Sequence, residues 1–127
     1  MRLDYINSLI GKIFKDGGRG PDSFDCWGLV CDIYENCLGI MLPTYEFIAA
    51  ADQRNASKAA LQYREEWEEI PGSKEQPGDV VLFRPCHVGV VVDRGRMVHI
   101  DEGLPACIES YRSAIWLPKL IGFYRHA

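Results

Sequence analysis

The chain lacks the features that would carry it through or into a membrane by itself. Its N-terminus has no apolar core of signal-peptide length, and no stretch approaches 18 consecutive apolar residues. An excess of positive charge is also missing, because 14 basic residues stand against 18 acidic ones, for a net charge of −4. We therefore expect a chain that is cytoplasmic as synthesised, with neither nucleic acid nor a membrane as its partner.

The sequence also lacks any pattern of paired or metal-binding cysteines. It contains five cysteines, an odd number, with no C-x-x-C spacing among them, and only three histidines. This usage argues against a zinc site and against a disulfide framework. We expect no metal and no cofactor, a reducing compartment, and one thiol left over for chemistry.

What the chain does contain is the average composition of a globular protein, with 47% hydrophobic and 25% charged residues. Its length predicts a single domain over residues 1–127. Before residue 77 the apolar residues recur at helical spacing, near the N-terminus, from Trp27 to Cys37 and over residues 52–69. We therefore predict helices in the first part of the chain.

After Pro77-Gly78 the pattern changes to short runs rich in β-branched residues, separated by turns. These runs cover residues 80–83, 87–92 and 97–101, with two further candidates at 107–109 and 120–125. Helices followed by consecutive strands predict an α+β fold, in which N-terminal helices pack on an antiparallel β-sheet.

Cys26 is the strongest candidate for a nucleophile. It follows a glycine-rich loop and opens a predicted helix, and Asp25 before it is a good N-cap residue. The positive end of a helix dipole favours the thiolate form of a cysteine, and the first-turn N–H groups can receive an oxyanion. Gly28 would let another segment or a substrate approach closely.

His87 and His99 are the candidates for a base and its orienting partner. They are 12 residues apart on two successive predicted strands, so the register of the hairpin decides whether they meet. An odd loop centred on Asp93 would place them opposite each other on one face, with Asp101 as a reserve orienter. A two-residue turn at Arg94-Gly95 would instead send them to opposite faces.

Stretches of the chain, in this order, resemble the NlpC/P60 cysteine peptidases: Gly17-Gly18, Phe24–Val30, Pro77–Phe83, His87–Val91 and Met97–His99. The Trp27 that follows the cysteine, and the closing segment Gly122–Arg125, are more similar to the branch found in phages and prophages, which is associated with tail-tip assembly.

The resemblance implies a papain-like fold and a thiol protease that hydrolyses amide bonds in the stem peptides of bacterial cell-wall peptidoglycan. Cys26 would be the nucleophile, His87 the base and His99 the third, polar member. A phage or prophage context would make the chain associated with a virion or tail. The alternative is a tail-assembly module that binds or cuts a protein partner in the same cleft.

Two positions depart from the family pattern. Many members carry a tyrosine 12 residues before the cysteine, whose hydroxyl helps to bind the oxyanion or substrate, and this chain has Phe14 there. Many also have serine where this chain has Trp27. With Asp25 and Gly89, these two residues are the oxyanion- or substrate-binding candidates. Residues 41–73 exceed what the core requires, and we predict a helical insertion or cap there.

Overall fold

The computed structural model describes residues 1–43 and 67–126. Two helices, α1 (Leu3–Leu9) and α2 (Cys26–Ile33), lie in the first part, and a π-helical turn over Tyr34–Leu38 continues α2. A 3₁₀ turn, Leu117–Lys119, precedes the last strand. In the part of the chain that the structure describes, no helix has the length and apolar character needed to cross a membrane.

The described residues form eight strands. They are β1 (Ile13–Phe14), β2 (Ser23–Phe24), β3 (Trp67–Ile70), β4 (Val80–Phe83), β5 (His87–Asp93), β6 (Arg96–Asp101), β7 (Leu104–Ser110) and β8 (Leu120–His126). Strands β3 to β8 form one antiparallel sheet in the order β3-β8-β4-β5-β6-β7, and β1 pairs with β2 in a small parallel ribbon. The predicted α+β fold, with helices against an antiparallel sheet, is confirmed.

The prediction of a helix over residues 52–69 is wrong at its end. Trp67–Ile70 is an edge strand that pairs antiparallel with β8, and the rest of the predicted helix lies outside the described residues. Trp67 and Ile70 are buried while Glu68 and Glu69 are exposed, a spacing that fits either a helix or a bent edge strand. The predicted cap over residues 41–73 also lies mostly outside the described residues.

The sheet buries an apolar core on each of its faces. The helix-side core lies between the sheet and the two helices, and Val88, Val90 and Ile100 contribute to it. The second core lies on the opposite face and includes Val91, which follows Val90 on β5, and Met97 on β6. Because side chains alternate along a strand, each face receives every second residue.

The hairpin between β5 and β6 closes at Arg94-Gly95, with Asp93 paired to Arg96 and Gly95 at a φ of +102°. A β-bulge between Val91 and Asp93 then shifts the register by one residue. The two-residue turn therefore does not separate the histidines, because the bulge returns them to one face. The prediction of a loop centred on Asp93 was wrong in position, but His87 and His99 do lie on the same face of the sheet, as predicted.

Candidate active site

Cys26 is the first residue of α2, which packs against β5 and β6. Asp25 caps this helix as predicted, because its carboxylate accepts a hydrogen bond of 2.6 Å from the N–H of Gly28. The carboxylate is fully buried and forms an ion pair of 2.7 Å with Arg19. Asp25 thus serves the helix start and does not face a substrate.

Gly28 is required by a close backbone approach from within the chain. A Cβ at this position would lie 2.1 Å from the carbonyl oxygen of Gly18, and that same oxygen accepts a hydrogen bond from the N–H of Asp25. The glycine-rich loop is therefore clamped directly onto the first turn of α2, and the clamp positions the half-buried Cys26.

His87 and His99 are joined side chain to side chain. Nε2 of His87 lies 2.8 Å from Nδ1 of His99, and both rings are buried. Continuing the register of the hairpin places Gly89 opposite His99, where a Cβ on Gly89 would lie 3.2 Å from the Cβ of His99. Gly89, expected to bind substrate, instead provides the space that the histidine pair occupies.

Trp116 covers the histidine pair from the segment that follows β7. Its ring stacks on His87, with centroids 4.9 Å apart and planes 22° apart, and it meets His99 edge-on at 5.0 Å. Burial, followed by the positive charge that His99 would carry, lowers the pKa of His87 from its ordinary value to about 3. His87 is therefore neutral at physiological pH, the form that can accept a proton.

Glu109 extends the pair on the far side. Its Oε2 atom lies 2.6 Å from Nε2 of His99 and 3.6 Å from Sγ of Cys107. These three side chains carry atoms that could ligate a metal. However, 2.6 Å is a hydrogen-bond distance, whereas two ligands of one tetrahedral zinc ion stand about 3.3 Å apart. We therefore treat the group as a hydrogen-bonded chain.

The remaining residues predicted for the site are not members of the hydrogen-bonded chain of side chains. The side chain of Trp27 is buried in the helix-side core and donates a hydrogen bond of 2.8 Å to the carbonyl of Pro43. This burial corrects the prediction that the Trp27 ring contacts substrate. Phe14 packs half-buried against the same core. An Oδ1 atom of Asp101 stands 4.0 Å from Nδ1 of His87, on the ring edge away from His99.

The sequence profile of the NlpC/P60 family matches residues 11–125. The chain belongs to the NlpC/P60 family. Probable endopeptidase p60 of Listeria seeligeri is 30% identical to it over 121 residues, which cover 91% of this chain and 20% of that protein. The gamma-DL-glutamyl hydrolase of Bacillus subtilis is 28% identical, over 97% of this chain and 28% of that protein.

A solved structure supports the same fold. An NLP/P60 family protein of Staphylococcus aureus, described as similar to a lipoprotein, superposes with a TM-score of 0.75 at 24% identity, over 98% of this chain and 39% of that chain. Thus this NlpC/P60 chain spans about a fifth of the length of the first curated relative and well under half of the solved structure.

Two residues of the site escaped the sequence analysis, Glu109 and Trp116. Glu109 lies on the strand predicted at residues 107–109, on the same face as His99, since His99 pairs with Cys107 and Met97 with Glu109. That pairing could have been found only with the register of β6 and β7 in hand. Trp116 lies outside any strand, and no periodic signal points to its position.

Proposed function

We propose that this chain is a cysteine peptidase that hydrolyses amide bonds in the stem peptides of peptidoglycan. The observation that carries the proposal is the hydrogen-bonded pair of His87 and His99, held on two strands that pack against the helix opened by Cys26. The names of its relatives, an endopeptidase and a gamma-DL-glutamyl hydrolase, support amide hydrolysis.

In this proposal, Cys26 at the start of α2 and His87 at the start of β5 meet at the end of the sheet. His87 takes the proton of the Cys26 thiol, and the sulfur attacks the carbonyl carbon of the scissile amide. The negative charge on the carbonyl oxygen develops at the N-terminus of α2, where the helix dipole stabilises it. Protonated His87 gives its proton to the leaving amine, which leaves a thioester. His87 then activates a water molecule that hydrolyses the thioester and regenerates the thiol.

Other thiols of the chain are poor competitors for this role. Burial raises the pKa of Cys31 to about 12, and burial with the nearby Glu109 carboxylate raises the pKa of Cys107 to about 11. Burial also raises the pKa of Cys37. These three thiols are therefore protonated at neutral pH, and only a thiolate is a strong nucleophile.

Digestion of purified stem peptides, with mass spectrometry to locate the cleaved bond, tests the proposal. We expect the wild type to cleave one type of amide bond and Cys26→Ala to be inactive. Cys37→Ala, which removes a half-buried thiol from the π-helical turn, is the matched control and should cleave at the wild-type rate. Digestion by Cys26→Ala as fast as by the wild type would contradict the proposal.

Phe14 favours a second candidate function. Without a hydroxyl at this position one oxyanion donor is lost, which can cost on the order of a hundredfold in rate. A phage or prophage tail module that only binds a protein partner in the same cleft would tolerate that loss, because it forms no oxyanion. Selective labelling of Cys26 by a thiol-directed probe near neutral pH supports a peptidase, whereas an unreactive Cys26 supports a binding module.

A further inference from the structure

We propose that Glu109 is a positioning residue that determines, through His99, which nitrogen of His87 carries the proton. This inference rests on the proposed function, since the position of that proton matters if His87 is the base. The three side chains form an unbroken line: the carboxylate contacts Nε2 of His99 at 2.6 Å, and Nδ1 of His99 contacts Nε2 of His87 at 2.8 Å.

The first link is decided by the charge of Glu109. Burial would raise the pKa of this carboxyl, but hydrogen bonds from the side chains of His99 and Trp116 outweigh burial and lower it. Glu109 is therefore ionised at neutral pH, and an ionised carboxylate can only accept hydrogen bonds. Nε2 of His99 must carry the hydrogen in this contact and donate it.

The second link follows from the neutrality of His99. The side chain of His99 is fully buried, and burial is the main cause that lowers its pKa, although Glu109 and Asp101 act in the opposite direction. A neutral imidazole carries one hydrogen, and here that hydrogen is on Nε2. Nδ1 of His99 is then an acceptor, and Nε2 of His87 must be the donor.

The third step places the lone pair of the base. His87 is also neutral, because burial lowers its pKa, and its single hydrogen is committed to His99. Nδ1 of His87 therefore has no hydrogen and can accept the proton of a thiol. The negative charge of Glu109 on β7 thus keeps Nδ1 of His87 unprotonated, although the ring of His99 lies between them.

Removal of the carboxylate would release this constraint. His99 could then carry its hydrogen on Nδ1 and donate it to His87, whose own hydrogen would move to Nδ1. In that tautomer His87 presents a donor where the reaction needs an acceptor. The fixed tautomer is the function that an aspartate provides in a serine triad, here exerted through an intervening histidine.

Nitrogen-15 NMR of histidine-labelled protein, without substrate, tests the assignment directly. In the wild type we expect both Nδ1 atoms of His87 and His99 to resonate as unprotonated and both Nε2 atoms as protonated. The third histidine, His126, is assigned with His126→Gln. In Glu109→Ala we expect this pattern to be replaced by a mixture of tautomers, with Glu109→Gln intermediate, because its amide oxygen can still accept.

Cys107→Ala is the matched control. It removes a side chain that contacts the same carboxylate oxygen at 3.6 Å, but it keeps the charge, so the wild-type pattern should remain. An unchanged pattern in both Glu109 variants would overturn the inference. If Glu109→Ala does not unfold cooperatively, and is therefore not properly folded, Glu109→Gln replaces it in this test because it keeps the shape of the side chain.

Kinetics on stem peptides provide the second readout. The wrong tautomer in a serine triad costs about 10⁴ in kcat, and because Glu109 acts through a further ring we expect a loss on the order of tenfold to a hundredfold. KM should change little, and Glu109→Gln should restore part of kcat. Wild-type kcat in Glu109→Ala would contradict the inference. A shifted NMR pattern with no requirement for Cys26 would instead contradict the proposed function alone.

Discussion

The two faces of the sheet are built from alternating residues of the same strands, yet they differ in kind. On the helix-side face, Val88, Val90 and Ile100 are fully buried among other apolar side chains. On the opposite face, His87 and His99 are also buried but are joined by a hydrogen bond. Both faces are stabilised by the exclusion of water, but the opposite face also uses part of this dry environment to control protons.

This difference teaches that burial alone does not separate structure from chemistry in this fold. A buried polar group must be hydrogen-bonded, and the histidine pair meets that requirement by bonding within itself and to Glu109. We therefore expect substitutions of adjacent residues on β5 to differ in their effect on catalysis, which should be large at His87 and absent at Val88.

The largest effect should come from His87→Ala compared with Val88→Ala. Loss of the base should lower kcat by on the order of a millionfold. It also leaves buried His99 without its partner, which should cost about 1–3 kcal/mol of unfolding free energy. Val88→Ala should cost about 2 kcal/mol of unfolding free energy and leave the kcat of the folded protein unchanged. Urea denaturation and stem-peptide hydrolysis measure the two quantities. Equal losses of activity in both variants would show that the faces are not separable.

Gly89→Ala should produce the next largest effect. The added Cβ would lie 3.0 Å from Sδ of Met97 and 3.2 Å from Cβ of His99, so these neighbours must move by a few tenths of an ångström. A displacement of about 1 Å can cost on the order of a hundredfold in kcat, so this smaller displacement of His99 should cost on the order of tenfold. Gly122→Ala on β8, where the nearest atom would be 3.6 Å away, is the control and should be active.

A smaller effect, on stability alone, is expected from Tyr111→Phe in the second core. The Tyr111 hydroxyl accepts a hydrogen bond of 2.6 Å from the N–H of Gly95 and donates one of 2.5 Å to Glu75. Removal leaves two buried polar groups with one bond fewer each, a cost of about 1–3 kcal/mol. Thermal unfolding should reveal this loss while kcat is retained. A loss of kcat would mean that the catalytic part of this face extends as far as the hairpin turn.

Much of this arrangement could be predicted from the sequence, because alternation along β5 and β6 is a local property. The cysteine at a helix start, with Asp25 as its cap, is also readable from a few adjacent residues. The hairpin was harder. The bulge between Val91 and Asp93 cannot be predicted from the run of valines in which it lies, because it depends on how the turn at Gly95 joins two twisted strands.

Contacts between distant strands could not be predicted. Glu109 reaches His99 only because β7 pairs with β6 in one particular register. Apolar and polar residues alternate too weakly along Leu104–Ser110 to predict that register. Likewise, Trp67–Ile70 is a strand that pairs with the last strand of the chain. The helical spacing of apolar residues before it led to the prediction of a helix instead. Registers set by long-range pairing are decided by the whole sheet and not by the local sequence.

The smallest effect we predict is a shift in the pH dependence of Trp116→Phe. The indole ring stacks on His87, and burial is the largest cause of the lowered pKa of that histidine. A smaller ring admits water, so the pKa of His87 should rise towards its ordinary value of 6.5. Because the neutral form is the base, the acid limb of kcat/KM should move to higher pH. Lys119→Gln, which removes a positive charge that also lowers this pKa, should move the limb in the same direction by less, since Lys119 is exposed. A limb that stayed in place in both variants would mean that a group other than His87 controls the acid side of the profile.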